Sequence, residues 1–314
     1  MSNLKKFNFD FDLSGLQAYT EQRSSSLISE SIMTGDFASQ VIVIPNVKST
    51  QELNVLASNL VSTAGGCGWN PNSGTTTTFT QKSIETVKRQ YQEALCIDDL
   101  EGYWYQTLLK PGQYYDSPSD IPFEETLMSY KVQQAKEAIE LELFQATSGG
   151  TGFDGFLELT SSAYTGSNVS CVSAASGVTS ANIGDSIDLL LAALPDAVYA
   201  ADDTAVFMSY GLFRAYTVWV RNKNYFYLNN PGDGVTSILH PGTNIQVIPV
   251  HGMTGSNRVF ATRKSNLFIG TDLVSDYSAF KAWYSMDNQE VRIKIQYRIG
   301  AQTGVDTIAS NCLA

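Results

Sequence analysis

The chain has 314 residues, 43% of them hydrophobic and 11% aromatic, enough to bury a large core and too apolar for a disordered polymer. It carries 20 Lys and Arg against 31 Asp and Glu, a net charge of -11, which argues against tight non-specific binding to nucleic acid, since that binding needs cations to displace counterions. Only 16% of residues are charged, so much of the surface must be uncharged Ser, Thr, Asn, Gln and Gly, as in a secreted β-protein or in a protein that turns its surface toward copies of itself.

Residues 1–40 read as an arm. Phe7, Phe9, Phe11 and Leu13 alternate with Asn8, Asp10 and Asp12, which predicts an edge strand, and a helix is expected from about Leu16 to Met33. Residues 41–96 contain the apolar run Val41 to Ile44, ended by Pro45, and a polar tip with Gly65-Gly66-Cys67-Gly68 and Asn70-Pro71-Asn72-Ser73-Gly74. A short helix is expected over Gln51–Ser62, β-structure from Thr75 to Phe79, and a returning strand from Ile84 to Tyr91. Such a long polar excursion has little of its own to bury, so it is either a functional loop or one that packs on another chain.

Residues 97–121 gather Tyr103, Trp104, Tyr105, Tyr114 and Tyr115, read as core or subunit interface in preference to a sugar platform. Asp120, Pro122, Glu124 and Glu125 suit a helix N-terminus. Met128, Val132, Ala135, Ile139, Leu143 and Ala146 then form one stripe on a 3.6-residue period, predicting a helix over 122–147 that ends at Gly149-Gly150. Glu137, Glu140 and Glu142 read as its solvated face. From 183 to 261 the pattern alternates: helix from Ile183 to Leu194, strand at Ala205–Ser209, helix from Gly211 to Val220, strand at Asn244–Val250. Val259–Thr262 and Leu267–Asp272 lead into Val291–Ile299, whose odd positions are all apolar and whose even positions include Arg292, Lys294 and Arg298. That period of two predicts one dry face and one basic face. The long helix is the expected cover for the dry face, and carboxylates of this or a neighbouring subunit are the expected partners of the basic one.

Catalytic signatures are missing from the sequence. GxSxG, HExxH and the P-loop are absent, and His240 and His251 sit beside turn residues without a local partner. Asp185, Asp196, Asp202 and Asp203 lack calcium-loop spacing. Cys67, Cys96, Cys171 and Cys312 lie far apart without a CxxC, so free thiols are expected and no metal or other cofactor. The first residues lack a signal-peptide core, and no run approaches 18 apolar residues, so no membrane contact is expected.

The order of parts (arm, β-excursion, long helix, α/β lobe, return strand) resembles the major capsid protein of tailed bacteriophages, with its α+β Hong Kong 97-type fold. Phe153-Asp-Gly-Phe-Leu157, Leu194-Pro-Asp-Ala-Val198, Met208-Ser-Tyr-Gly-Leu-Phe213, Leu267-Phe-Ile-Gly-Thr-Asp-Leu273 and the strand 291–299 carry the resemblance, which covers about Phe37 to Ala301. It implies an N-terminal arm (1–40), an E-loop (41–96), a first part of the P-domain with a spine helix (97–182), an A-domain (183–261) and the C-terminal strands of the P-domain (262–314). It implies a non-enzymatic shell subunit forming hexameric and pentameric capsomers around double-stranded DNA, in a virion assembled in the bacterial cytoplasm. Portal, a separate scaffold and decoration or head-completion proteins are the implied partners, and DNA is enclosed without sequence-specific binding. Assembly-interface candidates are Phe7, Phe9 and Phe11 of the arm, Lys48, Trp69, Phe79 and Lys82 of the E-loop, Tyr103 and Trp104, and Arg292, Lys294 and Arg298. Neither Lys48 nor Lys82 is marked as reactive, so no covalent cross-link is expected. The alternatives are an encapsulin-like compartment of the same fold and, in another class, a glycan-binding β-rich surface protein.

Overall fold

The computed structural model describes residues 37–65, 67–69, 72–96, 123–161, 169–171, 178–223, 237–272, 280–285, 287, 290–304 and 307–311. The predicted arm strand with Phe7, Phe9 and Phe11, the helix after it, and the aromatic stretch with Tyr103 and Trp104 lie outside the described residues. The strands, in order, are β1 (Ile42–Ile44), β2 (Thr50–Asn59), β3 (Thr76–Glu85), β4 (Val87–Cys96), β5 (Val169–Cys171), β6 (Thr204–Ser209), β7 (Ile238–Leu239), β8 (Gln246–Val250), β9 (Val259–Arg263), β10 (Leu267–Thr271), β11 (Phe280–Ser285), β12 (Glu290–Thr303) and β13 (Ile308–Ser310). Among the described residues the long helices are α1 (Phe123–Gln145), α2 (Ile183–Ala192) and α3 (Tyr210–Asn222).

The chain divides into two compact units. The first takes in Lys88–Ala135 and Leu273–Tyr297; the second takes in Ile32–Val87, Lys136–Asp272 and Arg298–Ala314. Both α1 and β12 contribute residues to each.

In the second unit a six-stranded mixed sheet runs β5-β13-β9-β6-β8-β7. All six residues of β6 are buried, as a strand covered on both faces requires. Val206 and Met208 join the cluster of Ile183, Ile187, Leu190, Leu212, Tyr216 and Trp219 from α2 and α3. Phe207, one residue out of phase, stacks on Phe260 at 5.1 Å and meets Phe37 edge-on at 5.6 Å. Phe37 in turn packs on Phe144 of α1 and on Phe156 at centroid distances of 4.6 and 5.5 Å. The alternation of β6 thus joins two apolar clusters through one strand. Ser209 starts α3 by accepting a hydrogen bond from the Leu212 amide.

In the same unit β1 pairs parallel to β10, and β10 pairs antiparallel to Ile299–Thr303 of β12. In the first unit β11 pairs antiparallel to Glu290–Ile295, and β4 also pairs with β12. The predicted alternation of 291–299 holds: Val291, Ile293, Ile295, Tyr297 and Ile299 are buried, and the residues between them are half-buried. The apolar stripe of α1 holds as well, with Val132, Ala135, Ile139, Leu143 and Ala146 buried. Its first half and Glu290–Tyr297 fall in the same unit, where Lys131 forms a 2.5 Å ion pair with Glu93 of β4, the neighbour of β12.

Five expectations are corrected. Gln51–Ser62 is not helical: Thr50–Asn59 pairs residue for residue with Thr76–Glu85, and a ten-residue ladder outweighs a weak local preference. The returning strand does not run through from Ile84 to Tyr91; it breaks at Thr86 between β3 and β4. α1 stops at Gln145, and Gly149-Gly150 lie inside a one-turn helix, Ser148–Thr151; the left-handed turn falls on Gly152. Glu140 does not face solvent alone: its carboxylate accepts hydrogen bonds from the His251 and Gly252 amides at 3.1 and 3.3 Å. Cys171 is disulfide-bonded, so the thiols are not all free; Cys67 is free and exposed.

Candidate assembly surfaces

The β2–β3 hairpin is the least self-sufficient part of the described chain. Its ten register pairs satisfy the backbone, yet most of its described side chains are exposed on both faces. Leu60 is 83% exposed, Phe79 79% and Trp69, at the tip, 92%. An isolated two-stranded ribbon is marginal in water, and apolar groups this exposed mark a contact surface.

The base of the hairpin is fixed by contrast. Thr86 Oγ1 donates to the Val47 carbonyl at 2.8 Å, and Gln302 donates to the Ser83 carbonyl at 2.8 Å. Lys82 donates to the Thr303 and Gly304 carbonyls at 3.4 and 2.6 Å, and burial holds its pKa below the usual lysine value. Beside it, Gly270 of β10 and Gly300 of β12 are register partners. A Cβ on Gly300 would stand 1.9 Å from the Glu85 carbonyl oxygen, and one on Gly270 3.0 Å from Ile84 Cδ1 and Thr86 Cγ2. The paired glycines clear the sheet surface where the end of β3 crosses it.

Of the named E-loop residues, Trp69 and Phe79 are therefore open to a partner. Lys48 is exposed, and its carbonyl accepts a hydrogen bond from Arg298. Lys82 is half-buried, with its ammonium turned to the Thr303 and Gly304 carbonyls of this chain. The basic face is mixed. Arg292 stands 3.7 Å from Glu290, a loose surface pair. Lys294 lies directly opposite Lys281 of β11, a like-charge pair that weakens the ladder. Among the described residues Arg292 alone of the three meets a carboxylate of this chain, and Arg298 donates to the Lys48 carbonyl.

The sequence missed one polar constellation. His240 is buried, with Nε2 2.7 Å from Asp188 of α2 and Nδ1 3.0 Å from the Tyr216 hydroxyl of α3. Burial first, and the Asp188 charge second, push the Tyr216 phenol well above the usual tyrosine range. A phenol that resists ionisation is a poor base or nucleophile; the trio ties β7 to α2 and α3. Asp188 sits at 188 and Tyr216 at 216, so nothing in the local spacing around His240 announced it. Among the described residues no three His, Cys, Asp or Glu side chains converge as a metal site, and no described helix is long and apolar enough to cross a membrane.

This architecture is the Hong Kong 97-type capsid fold: a long helix, a long strand, a protruding hairpin and an α/β lobe, in that mixed α+β arrangement. Solved structures that share it include phage and GTA-particle capsids. The capsid of an empty GTA particle aligns over 89% of this chain and 90% of its own, with a TM-score of 0.53 and 13% identity. The procapsid of satellite phage P4 aligns over 92% and 90%, at 0.55 and 14%. The capsid of Myoviridae phage XM1 aligns over 89% and 90%, at 0.53 and 10%. No protein-family model matches the chain, and no curated protein matches it by sequence.

Proposed function

We propose that this chain is a major capsid protein that assembles through hexameric and pentameric capsomers into an icosahedral head enclosing a double-stranded DNA genome. The observation that carries the reading is the hairpin: a fixed base, an exposed two-sided ribbon and a tip presenting Trp69, on a fold whose solved examples include phage and GTA-particle capsids. The ribbon gains stability only when another surface covers it, and closed symmetry multiplies one such contact over every subunit. The division into arm, E-loop (41–96), P-domain with spine helix and A-domain (183–261) is part of the same proposal. The role is structural, without catalysis. The net charge of -11 keeps the subunit from gripping the packaged polymer. Portal, scaffold and decoration or head-completion proteins are the partners such a shell needs, and the bacterial cytoplasm is its place of assembly. Particles purified from the producing cells, treated with nuclease and then opened, test the reading: protected double-stranded DNA supports it, while particles holding only a cargo protein would replace it with a nanocompartment.

A further inference from the structure

We propose that copies of this chain meet head to tail through two helices of the second unit, the acidic stripe of α2 on one copy against the basic stripe of α3 on the next. The charges are sorted along the sequence. No Lys or Arg stands between Lys136 and Arg214, a stretch in which Asp and Glu recur. The cations that follow are Arg214, Arg221 and Lys223, on α3 or directly after it. Helical spacing lines the charges up. On α2, Ile183, Ile187, Leu190 and Leu191 are buried, while Asp185, Asp188, Leu189 and Ala192 are exposed. Spacings of three, four and seven put those exposed four on one stripe. Leu189, within it, is 53% exposed, and Asp188 stays exposed while bonded to His240. The chain after α2 adds exposed Asp196, Tyr199 and Asp202. On α3, Tyr210, Arg214, Thr217 and Arg221 are exposed at spacings of four, three and four, a second stripe of opposite sign.

The two stripes face different ways. α2 and α3 share one apolar cluster, and a Cβ on Gly184 of α2 would stand 2.1 Å from the Trp219 ring of α3. Trp219 therefore marks the side of α3 that meets α2. At ~100° per residue, Arg221 and Arg214 both lie roughly 140–160° round the helix from Trp219, on the flank turned away from α2. A contact between unlike stripes on different flanks is heterologous, and repetition about an axis closes it into a ring. A second copy of this chain is the occupant that the charges fit. It brings the acid to the basic stripe and the base to the acidic one, and exposed Leu189, Tyr199 and Tyr210 add apolar area between the charges. The inference rests on the shell reading above and gives its ring contact a polarity.

The test reverses charge on the full chain, one stripe at a time, with circular dichroism to confirm the fold. One variant carries Arg214→Glu and Arg221→Glu, the other Asp185→Lys and Asp196→Lys. They move the net charge in opposite directions, yet each should need at least about a tenfold higher concentration to associate, as read by sedimentation velocity. The chain with all four substitutions keeps the net charge of -11 and restores unlike charges across the contact. It should associate within about threefold of the wild-type concentration and should not co-assemble with wild type. Should a reversed variant fail to fold, Arg214→Gln with Arg221→Gln takes its place, with a smaller loss expected. Single-stripe variants that associate as readily as wild type, or a fourfold variant no better than its parents, would overturn this inference and leave the shell reading standing. A wild-type chain that stays monomeric at every concentration would overturn both.

Discussion

Replacing Gly300 by alanine should damage this protein more than any other single-methyl change on the same sheet. The added Cβ would lie 1.9 Å from the Glu85 carbonyl oxygen and 3.2 Å from the Thr86 Cα. Ordinary van der Waals contact begins near 3.4 Å, so the strand or the hairpin base must move by more than 1 Å. Neither moves freely: Gly300 pairs with Gly270 in the ladder, and the Thr86 amide and hydroxyl are bonded to Ser49 and Val47. Overpacking of a fixed interior costs about 1–3 kcal/mol, and an obstruction made of backbone belongs at or above the top of that range. The smaller unfolded-state entropy of alanine returns at most about 1 kcal/mol. Gly270→Ala is the internal control, because its added Cβ meets side-chain atoms of Ile84 and Thr86, at 3.0 to 3.2 Å, in place of backbone. Thermal unfolding of the unassembled subunit, followed by circular dichroism, should show Tm lower by about 4–10 °C for Gly300→Ala and by at most half as much for Gly270→Ala. Equal Tm values for Gly300→Ala and wild type, or a larger loss in the control, would refute the close crossing of β3 over β10 and β12.

Trp69→Ala should leave the Tm of the unassembled subunit within about 1 °C, because the side chain is 92% exposed. The same change should raise the concentration needed for assembly by at least about 30-fold, the effect of a 2 kcal/mol hot spot, as read by sedimentation velocity. Phe144→Ala empties a fully buried position between Phe37 and Phe156 and should cost about 3–5 kcal/mol in urea unfolding. Asp203 bears on acid stability. Burial alone would raise its pKa, but hydrogen bonds from Arg263 and Ser265, with the Arg263 charge, hold it below the usual carboxylate range. Its stabilisation is therefore present above the unfolded pKa and lost as pH falls through the lower folded value. Asp203→Asn should flatten that acid limb, and a denaturation series from pH 6 downward checks it.

Periodicity carried most of what the sequence could reveal. The stripe from Val132 to Ala146 and the alternation from Val291 to Ile299 were legible because each element turns one face to apolar neighbours and one to water, so position in the repeat reports burial. β6 was legible as a buried run for the opposite reason, since both its faces are covered. The β2 strand was misread because its residues obey no burial pattern of their own; only the register with β3 makes them a strand. Contacts distant in sequence were invisible for the same reason. Glu140 looked like one more solvated carboxylate until the turn at His251 came to rest against it, and His240 looked like a loop histidine until Asp188 and Tyr216 met it from two helices. The candidate surface was partly legible. Trp69 and Phe79, named as E-loop candidates, are exposed, whereas the inward set of Lys82 depends on carbonyls at Thr303 and Gly304 that no local pattern announces.

Electron microscopy of the purified chain, expressed alone and concentrated stepwise, tests the central claim most directly. Closed shells, tubes or five- and six-fold capsomers are the expected result, and their onset should move to a concentration at least about 30-fold higher when Trp69 is replaced by alanine. A chain that stays folded and monomeric at every concentration, with and without that substitution, would contradict the account.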